Sequence, residues 1–582
     1  MILKKIWSHI RIRRRKQLGL LMILMLLASV SEVISIGAIL PFLAVLSNPT
    51  IIFDHELAQP FIQLLELTEP GQLILPFTIL FSLSAIITGS IRILMIWAQT
   101  RLANAIGADL SHQIYKRTLF QPYPIHVARN SSEMIDGIAS KANQVVAGLI
   151  MPGLNVISVF LMMTTILAAL VVLDPIVVTS MIAGFSLIYA LIARFTKKRL
   201  VLNSELMSKK SVLVIKALQE GLGGIRDVLI DGSQATYIKI FRSADLPIRH
   251  ASSNNTILSQ SPRYGIEALG MVLIAWLAYS LGDGEGDLIG TLPILGAIAI
   301  GAQRMLPMLQ LAYSSWSSFR GAQVVLQDAI ALLEQPLPNY AEGPTIEAIP
   351  FQQAITMEKV SFRYGVNTPW VLRDLSLEIP KGSRIGIIGT TGSGKSTLLD
   401  IIMGLLHPSE GKIAIDGMEV TDQNHRGWQS HISHIPQAIY LSDATIAENI
   451  AFGVPIEKIN HQQVQFAAKQ AQIAETIETW EQGYETTVGE RGVRLSGGQR
   501  QRIGIARALY KQADVIIFDE ATSALDNKTE RAVMEAIDNI QEEITILMVA
   551  HRVTTLKSCN LIVELEDGKI KRSGSYLEII ET

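Results

Sequence analysis

Cysteine, charge and a basic surplus are what this chain has least of. Its 582 residues include one cysteine, Cys559, so no internal disulfide can form, and a disulfide-stapled secreted fold or a multi-cysteine metal site is excluded. Charged side chains make up 18% against 49% hydrophobic ones, whereas soluble domains carry about 25% charged residues. In so long a chain that deficit means that part of it is not solvated by water. Basic and acidic residues number 50 and 52, a net charge of −2, without the basic excess of a nucleic-acid binder. No internal repeat or low-complexity tract is present.

What is there begins with long apolar runs. From Gln17 to Phe53 the only ionisable carboxylate or cation before the run's end is Glu32, and the run exceeds the roughly 20 residues that span a bilayer. It is too long for a signal peptide and lacks a small-residue cleavage site. Further runs are Leu73–Ala98, interrupted by Arg92, Ala142–Leu173, Pro175–Ala193, Tyr264–Leu281 with Glu267, and Leu288–Trp316 with Arg304. Six spans are expected. Asp174-Pro175 should turn the third against the fourth, because Pro cannot continue a helix.

Lys and Arg set the direction. The stretch before the first run holds Lys4, Lys5, Arg11, Arg13, Arg14, Arg15 and Lys16, while the connection from Ser47 to Gln72 has no Lys or Arg and carries Asp54, Glu56, Glu66 and Glu69. The positive-inside rule places the N-terminus in the cytoplasm. The basic second and fourth connections are then inside, the acidic Gly282–Asp287 outside, and six spans return the chain to the cytoplasm. Both inner connections read as helices extending beyond the bilayer and reversing at Gln121-Pro122-Tyr123-Pro124 and Gly221-Leu222-Gly223-Gly224. Asn130 with Glu133 resembles a helix start with a capping box.

Pro336, Pro338, Pro344 and Pro350 with Gly343 mark a linker. The expected division is 1–335 membrane domain, 336–355 linker and 356–582 soluble domain, the last alternating short strands with helices in an α/β pattern. In it, Gly389-Thr390-Thr391-Gly392-Ser393-Gly394-Lys395-Ser396 lies between a predicted strand, Arg384–Ile388, and a helix from Thr397 to Leu406. That is the setting of a phosphate-binding loop. Its amides can close on phosphate oxygens, Lys395 neutralises them, Ser396 can ligate Mg²⁺, and the helix N-terminus adds partial positive charge. The strand Val515–Phe518 ends in Asp519-Glu520. Asp519 suits the Mg²⁺ shell and Glu520 can orient or deprotonate an attacking water. A strand Ile546–Ala550 ends in His551, within reach of a γ-phosphate if the strands are neighbours. Leu495-Ser496-Gly497-Gly498-Gln499 opens a helix through Gln501–Leu509 and forms a second anion site, which suits a nucleotide held by another subunit.

Together these residues resemble an ATP-binding-cassette protein, in a chain that has the exporter half-transporter layout of six spans ahead of one α/β P-loop cassette. The resemblance implies ATP and Mg²⁺ as ligands and, because no motif departs from the pattern, a dimer of identical halves, each ATP lying between one P-loop with Thr397 and the opposite signature Leu495–Gln499. It makes Gln437 of Ile435-Pro436-Gln437 a partner of Mg²⁺ and the water, Tyr364 an adenine-stacking ring, Asp526 of Ser523-Ala524-Leu525-Asp526 part of the dimer contact and His551 the switch. Thr487–Gly492 resembles the segment that senses the intracellular loops.

Arg92, Arg263 and Arg304 occur in or beside three spans, and charge there is a functional-site hypothesis by default. They either pair with Glu32 and Glu267 as structural bridges or face a cavity and meet an anionic substrate. In the outer connection, Phe61, Leu64 and Leu65 predict one apolar face of a short helix stopped by Pro70, with Ile62 and Leu67 off that stripe, either lying on the membrane surface or packed as a loop helix. These features resemble lipid-linked-oligosaccharide flippases of bacterial protein N-glycosylation. That resemblance implies a bacterial inner-membrane flippase of a polyprenyl-pyrophosphate glycan. The alternatives are a general lipid or multidrug exporter and, in another class, an ATP-gated channel or regulatory subunit.

Overall fold

A computed structural model describes residues 2–47, 49–54, 59–171, 175–282, 288–341, 348–520, 526–538, 544–549 and 553–580. The chain forms two compact units, 1–121 with 129–337 and 122–128 with 338–582.

The first unit is helical. Its long helices are Ile12–Ser47, Ile74–Leu119, Met151–Val171, Pro175–Gly223, Gln234–Gly282 and Leu288–Gly321. The second has 46 residues, about 69 Å at the α-helical rise, more than twice the hydrocarbon thickness of about 30 Å. It therefore continues past a bilayer, as its basic C-terminal half requires. Among the described residues three stretches are long and apolar enough to cross a membrane: Ile12–Ser35, within Pro70–Leu119, and within Ser131–Ala168. The side chains of the other three expected runs lie partly outside the described residues.

Packing explains which helix faces are buried. Ala103, Ile106, Leu110 and Ile114 recur at helical spacing on Ile74–Leu119 and are all at most 1% exposed, joining Leu21, Met25, Val145, Leu326 and Leu333 in one core. Polar side chains link the same helices. Gln99 donates to Asn155 at 2.6 Å, Ser29 and Thr165 share a 2.7 Å bond, and Thr88 donates to the Ser31 carbonyl at 3.0 Å. Such bonds tie helices together where lipid offers no hydrogen-bonding alternative.

The breaks fall where proline and glycine put them. Ile74–Leu119 ends just before Pro122, and Pro175–Gly223 ends in the glycine cluster. Asn130 caps Ser131–Asp136, accepting from the Ser132 amide at 3.0 Å. The outer connection departs from expectation. Its helix is only Gln59–Leu64, and Leu64 and Leu65 are exposed, while the off-stripe Ile62 is buried with Val45 and Leu73. Glu66 takes a positive φ of 51°, and Leu67 folds back against the same cluster. A helix of under two turns obeys the chain reversal beside it rather than its own periodicity. Pro70 starts a 3₁₀ turn, Pro70–Leu73, instead of stopping the helix.

The second unit is α/β. Strands β1 (Ala354–Phe362), β2 (Leu372–Pro380), β4 (Glu410–Ile415) and β5 (Met418–Glu419) form an antiparallel sheet in the order β2-β1-β4-β5. The larger sheet runs β10-β9-β3-β8-β7-β6, from β3 (Arg384–Gly389), β6 (Ile432–Ile435), β7 (Val515–Asp519), β8 (Thr545–Val549), β9 (Leu561–Glu566) and β10 (Lys569–Gly574). All its pairings are parallel except β9 with β10. Alternate side chains point to opposite faces. Ile385, Ile387, Val515, Ile517, Leu547 and Val549 pack with Leu398 and Leu399 of the helix Lys395–Ile402. Ile516, Phe518, Ile546 and Met548 pack with Ile503 and Ile505 of the helix Gly497–Tyr510. A sheet covered on both faces needs the near-continuous apolar strands seen here.

Candidate nucleotide site and membrane arginines

Register brings the nucleotide residues to one edge of the large sheet. Ile387 lies opposite Val549, Val549 opposite Asp519, and Phe518 opposite Ile435. The chain leaving β3 forms the phosphate loop, that leaving β7 carries Glu520, and that leaving β6 carries Gln437. Crevices at the carboxyl ends of such strands are where open α/β sheets bind ligands.

The loop is shaped by two glycines. Gly394 has φ +100°, and a Cβ there would stand 2.7 Å from Leu372 Cδ2 and 3.1 Å from the Val371 carbonyl; at Gly389 it would stand 2.4 Å from the Leu565 carbonyl oxygen. Lys395 folds its ammonium back over the loop, donating to the carbonyls of Gly389 at 2.8 Å and Thr390 at 2.9 Å. Ser393 Oγ is buried without a hydrogen-bond partner among the described residues. An orphaned hydroxyl, a side-chain-free cradle and a cation over it together fit a bound phosphate. Thr390, Thr391 and Gly392 complete the loop, and Ser396 and Thr397 lie in the first turn of Lys395–Ile402, which starts two residues earlier than predicted. Thr397 Oγ1 is 3.2 Å from the Tyr364 hydroxyl. Tyr364 also packs edge-on against Phe362, so the ring implied for adenine stands beside the loop helix.

Acids cluster at the strand ends. Gln437 donates from Nε2 to Glu520 Oε2 at 2.6 Å. Glu520 sits at φ +53°, its amide donating to the Val549 carbonyl at 3.0 Å. Burial, then the neighbouring Glu520 charge, push the Asp519 carboxyl above its ordinary range, against a lowering by Lys395. A third acid, Asp400, was not among the sequence candidates. Burial first and the Asp519 charge second push it up to about 6. Its only signal in the sequence was a carboxylate on the inner helix five residues after the loop lysine. Crowded carboxylates of raised pKa fit a divalent cation, which would be held by Ser396, Asp519 and Gln437. His551 lies outside the described residues, as do Ser523, Ala524 and Leu525.

The second expected anion site is built as a helix start. Ser496 caps Gly497–Tyr510, Gln499 N donating to Ser496 Oγ at 3.2 Å and Ser496 N to Gln499 Oε1 at 2.8 Å. This reciprocal box makes Gly497 and Gly498 helical, so the helix begins inside the motif expected to open it. Leu495 is buried beneath it. Asp526 caps Asn527–Asp538, accepting from the Thr529 hydroxyl at 2.6 Å and from the Lys528 and Thr529 amides at 3.0 Å, and the hydroxyl bond first, with the amide bonds, lowers its pKa.

In the membrane unit, Arg92 Nη1 stands 3.8 Å from Glu32 Oε2, with Glu32 1% exposed and Arg92 46%. Arg263 Nε is 3.9 Å from Glu267 Oε2 on the same helix, both about half exposed. Each arginine thus faces its own acid, and no described contact joins the two. The Arg304 side chain lies outside the described residues. Sequence reasoning missed a polar cluster nearby. Tyr189 donates to Gln310 at 3.3 Å, Gln310 to the Ser259 carbonyl at 2.8 Å, and Tyr313 to the Leu258 carbonyl at 3.1 Å.

Residues 372–523 match the ABC transporter family model. The chain is 32% identical over 397 residues to an ATP-dependent lipid A-core flippase of Chromohalobacter salexigens, covering 67% of each chain. It is 28% identical over 494 residues to the protein of that description from Cupriavidus metallidurans, covering 83% of this chain and 81% of that one. A match to mouse ATP-binding cassette sub-family B member 10, mitochondrial, is 40% identical over 252 residues but spans only 35% of that protein. The structure of a bacterial Atm1-family ABC exporter with ATP bound superposes with a TM-score of 0.80, covering 97% of this chain and 96% of that chain at 23% identity.

Proposed function

Because the chain belongs to the ATP-binding-cassette transporter family and has the exporter fold, we propose that it is an ATP-driven flippase. It carries an anionic, phosphate-bearing glycolipid from the cytoplasmic to the outer leaflet. The cassette hydrolyses ATP and couples hydrolysis to transport.

In this reading Lys395, Ser393 and the loop amides bind and neutralise the phosphate oxygens. Mg²⁺, held by Ser396, Asp519 and Gln437, supplies further charge neutralisation when bound. Glu520 orients or deprotonates water, and Gln437 positions Glu520. Leu495–Gln499 and Asp526 act on the nucleotide of a second half-transporter, identical to this one. Closure of two cassettes on ATP then opens the membrane halves outward, and hydrolysis resets them.

The observation that carries the substrate class is the pair of half-exposed guanidinium groups in the membrane unit. At 3.8 and 3.9 Å their ion pairs are too long to be hydrogen bonds, so the N–H forks of Arg92 and Arg263 retain donors for phosphate oxygens. Arg304 is proposed as a third. A polyprenyl-pyrophosphate-linked oligosaccharide has the required combination of apolar tail, anionic link and sugar. Lipid A-core, which appears in the relatives' descriptions, is the competing substrate, and the family resemblance in the cassette serves both.

Reconstitution into liposomes decides between them. ATP-dependent exposure of a polyprenyl-pyrophosphate glycan to an enclosed or external glycosidase supports the specific reading; movement of a lipid A-core glycolipid alone retains only the glycolipid class. Movement of neutral phospholipid alone, or undiminished glycan flipping by Arg92→Ala, Arg263→Ala and Arg304→Ala, overturns the anion-site claim.

A further inference from the structure

The first two long helices leave an apolar groove between them. It has a volume of about 760 Å³, with Leu20, Leu24 and Leu27 from one helix, Trp97 and Arg101 from the other, and Arg14 at its charged end. Leu20, Leu27 and Trp97 are 69%, 56% and 59% exposed, so the groove opens outward rather than into the packed core. From Arg14 to Leu27 the helix climbs roughly 20 Å, a little more than the half of a hydrocarbon layer about 30 Å thick. The groove is therefore one leaflet deep. The Lys and Arg distribution assigns its charged end to the cytoplasmic side.

The two arginines differ in what they have to offer. Arg14 is committed, with its Nε 2.9 Å from Asp109 and Nη1 3.0 Å from Gln17. Arg101 makes no ion pair or hydrogen bond among the described residues, and nearby Lys16 and Arg13 have none either. Arg101 is thus the uncommitted cation in the lining of an apolar slot of single-leaflet depth, and Trp97 lies one helical turn deeper than Arg101, as interfacial aromatic residues do. The slot is uncharged, its mouth cationic, and a ligand that matches both is amphiphilic and anionic.

We propose that this groove binds an anionic phospholipid of the cytoplasmic leaflet, with the phosphate on Arg101 and acyl chains along Leu20, Leu24, Leu27 and Trp97. It is a fixed lipid site, separate from the transported glycolipid. The proposal rests on the orientation of the first helix and not on which glycolipid is carried.

The test uses the full-length, nucleotide-free protein in mild detergent, with dioleoylphosphatidylglycerol or dioleoylphosphatidylcholine added and retention read by native mass spectrometry. The anionic lipid should bind about five-fold more tightly, the worth of one basic residue at an anionic surface. Arg101→Gln should remove that preference and Arg101→Lys should preserve it. A photoreactive phosphatidylglycerol should label the peptide containing Trp97, and Leu24→Trp, which fills the slot, should abolish that label. An unchanged preference in Arg101→Gln, or labelling confined to other peptides, overturns the proposal. So does a label that appears in the monomer and is excluded in the dimer, which would give the groove to a helix of a second copy. Displacement of the label by the transported glycolipid would assign the groove to the transport route and equally refute a fixed lipid site.

Discussion

Gln437 donates a 2.6 Å hydrogen bond to Glu520, joining the ends of two adjacent parallel strands. The relationship follows from register, because Ile435 faces Phe518 and both chains continue two residues to the bonded pair. Glu520 holds a positive φ of 53° while doing so, a conformation that a side-chain-bearing residue keeps only where its surroundings enforce it. The amide of Glu520 supplies one such constraint through the Val549 carbonyl. The carboxylate is therefore aimed before nucleotide arrives.

Replacing Glu520 by Gln keeps the shape and removes the base. ATP turnover in liposomes should fall by at least about 100-fold, the lower bound for loss of a general base, while nucleotide still binds. Full turnover by Glu520→Gln would refute the assignment.

Gln437→Ala leaves the base but not its restraint. Turnover should fall by about 10- to 100-fold, as for loss of a group that orients a functional side chain. Nucleotide affinity measured without Mg²⁺ should be unchanged; a parallel loss of that affinity would show that Gln437 shapes the pocket instead.

Gly394→Ala tests the cradle. The added Cβ meets Leu372 Cδ2 at 2.7 Å on a backbone with φ +100°, and strain of this kind is worth about 1–3 kcal/mol. ATP binding should weaken and the melting temperature should drop. A variant that binds ATP normally would mean that the loop opens before it binds.

Much of this site was legible because its groups are contiguous. The glycines, Lys395 and Ser396 lie in eight residues, and Asp519-Glu520 end one apolar strand. The start of the loop helix was less legible: Lys395 begins it two residues earlier than expected, whereas the Ser496–Gln499 box starts its helix at Gly497, inside the motif expected to open it, despite the poor helix propensity of glycine. Asp400 stayed hidden because its relation to Asp519 is a product of strand and helix packing. Ile62 was misplaced for the opposite reason, a periodicity rule applied to a helix too short to obey it. In the membrane unit the runs were readable and pairing with Glu32 and Glu267 was one of two roles expected of the arginines, but which of them meets Glu32 was not, since Arg92 and Glu32 are 60 positions apart and no spacing rule reaches that far.

Asp400 makes the resting protein sensitive to pH. Its carboxyl is raised to about 6 by burial and by Asp519, so between the ordinary carboxylate range and pH 6 the folded state binds more protons than the unfolded state. Stability then falls as pH rises through that window. Asp400→Asn removes this loss. In the nucleotide-free, full-length protein the variant should melt higher than wild type at pH 8, with the gap closing below pH 4. An equal gap at both pH values would show that the gain comes from packing rather than from ionisation.

Lys141 provides the corresponding test in the membrane unit. Its side chain is 8% exposed, with the ammonium 3.0 Å from Asp328 and 4.0 Å from Asp136, which are 36% and 1% exposed. Asp136 also accepts from Ser211, and Asp328 from Ser208 at 2.6 Å, so both acids depend on a small polar cluster. Removing one partner of a fully buried ion pair destabilises by about 3–5 kcal/mol. Asp328 reaches solvent and moderates this, so Lys141→Ala should lose about 3 kcal/mol or less. Because the loss arises from carboxylates left without their cation, Lys141→Ala with Asp136→Asn should recover part of it. Thermal unfolding in detergent, read by loss of the monodisperse peak in size-exclusion chromatography, measures both variants. If the double variant melts below the single one, the cluster contributes through packing and the hydrogen bond to Ser211 rather than through charge.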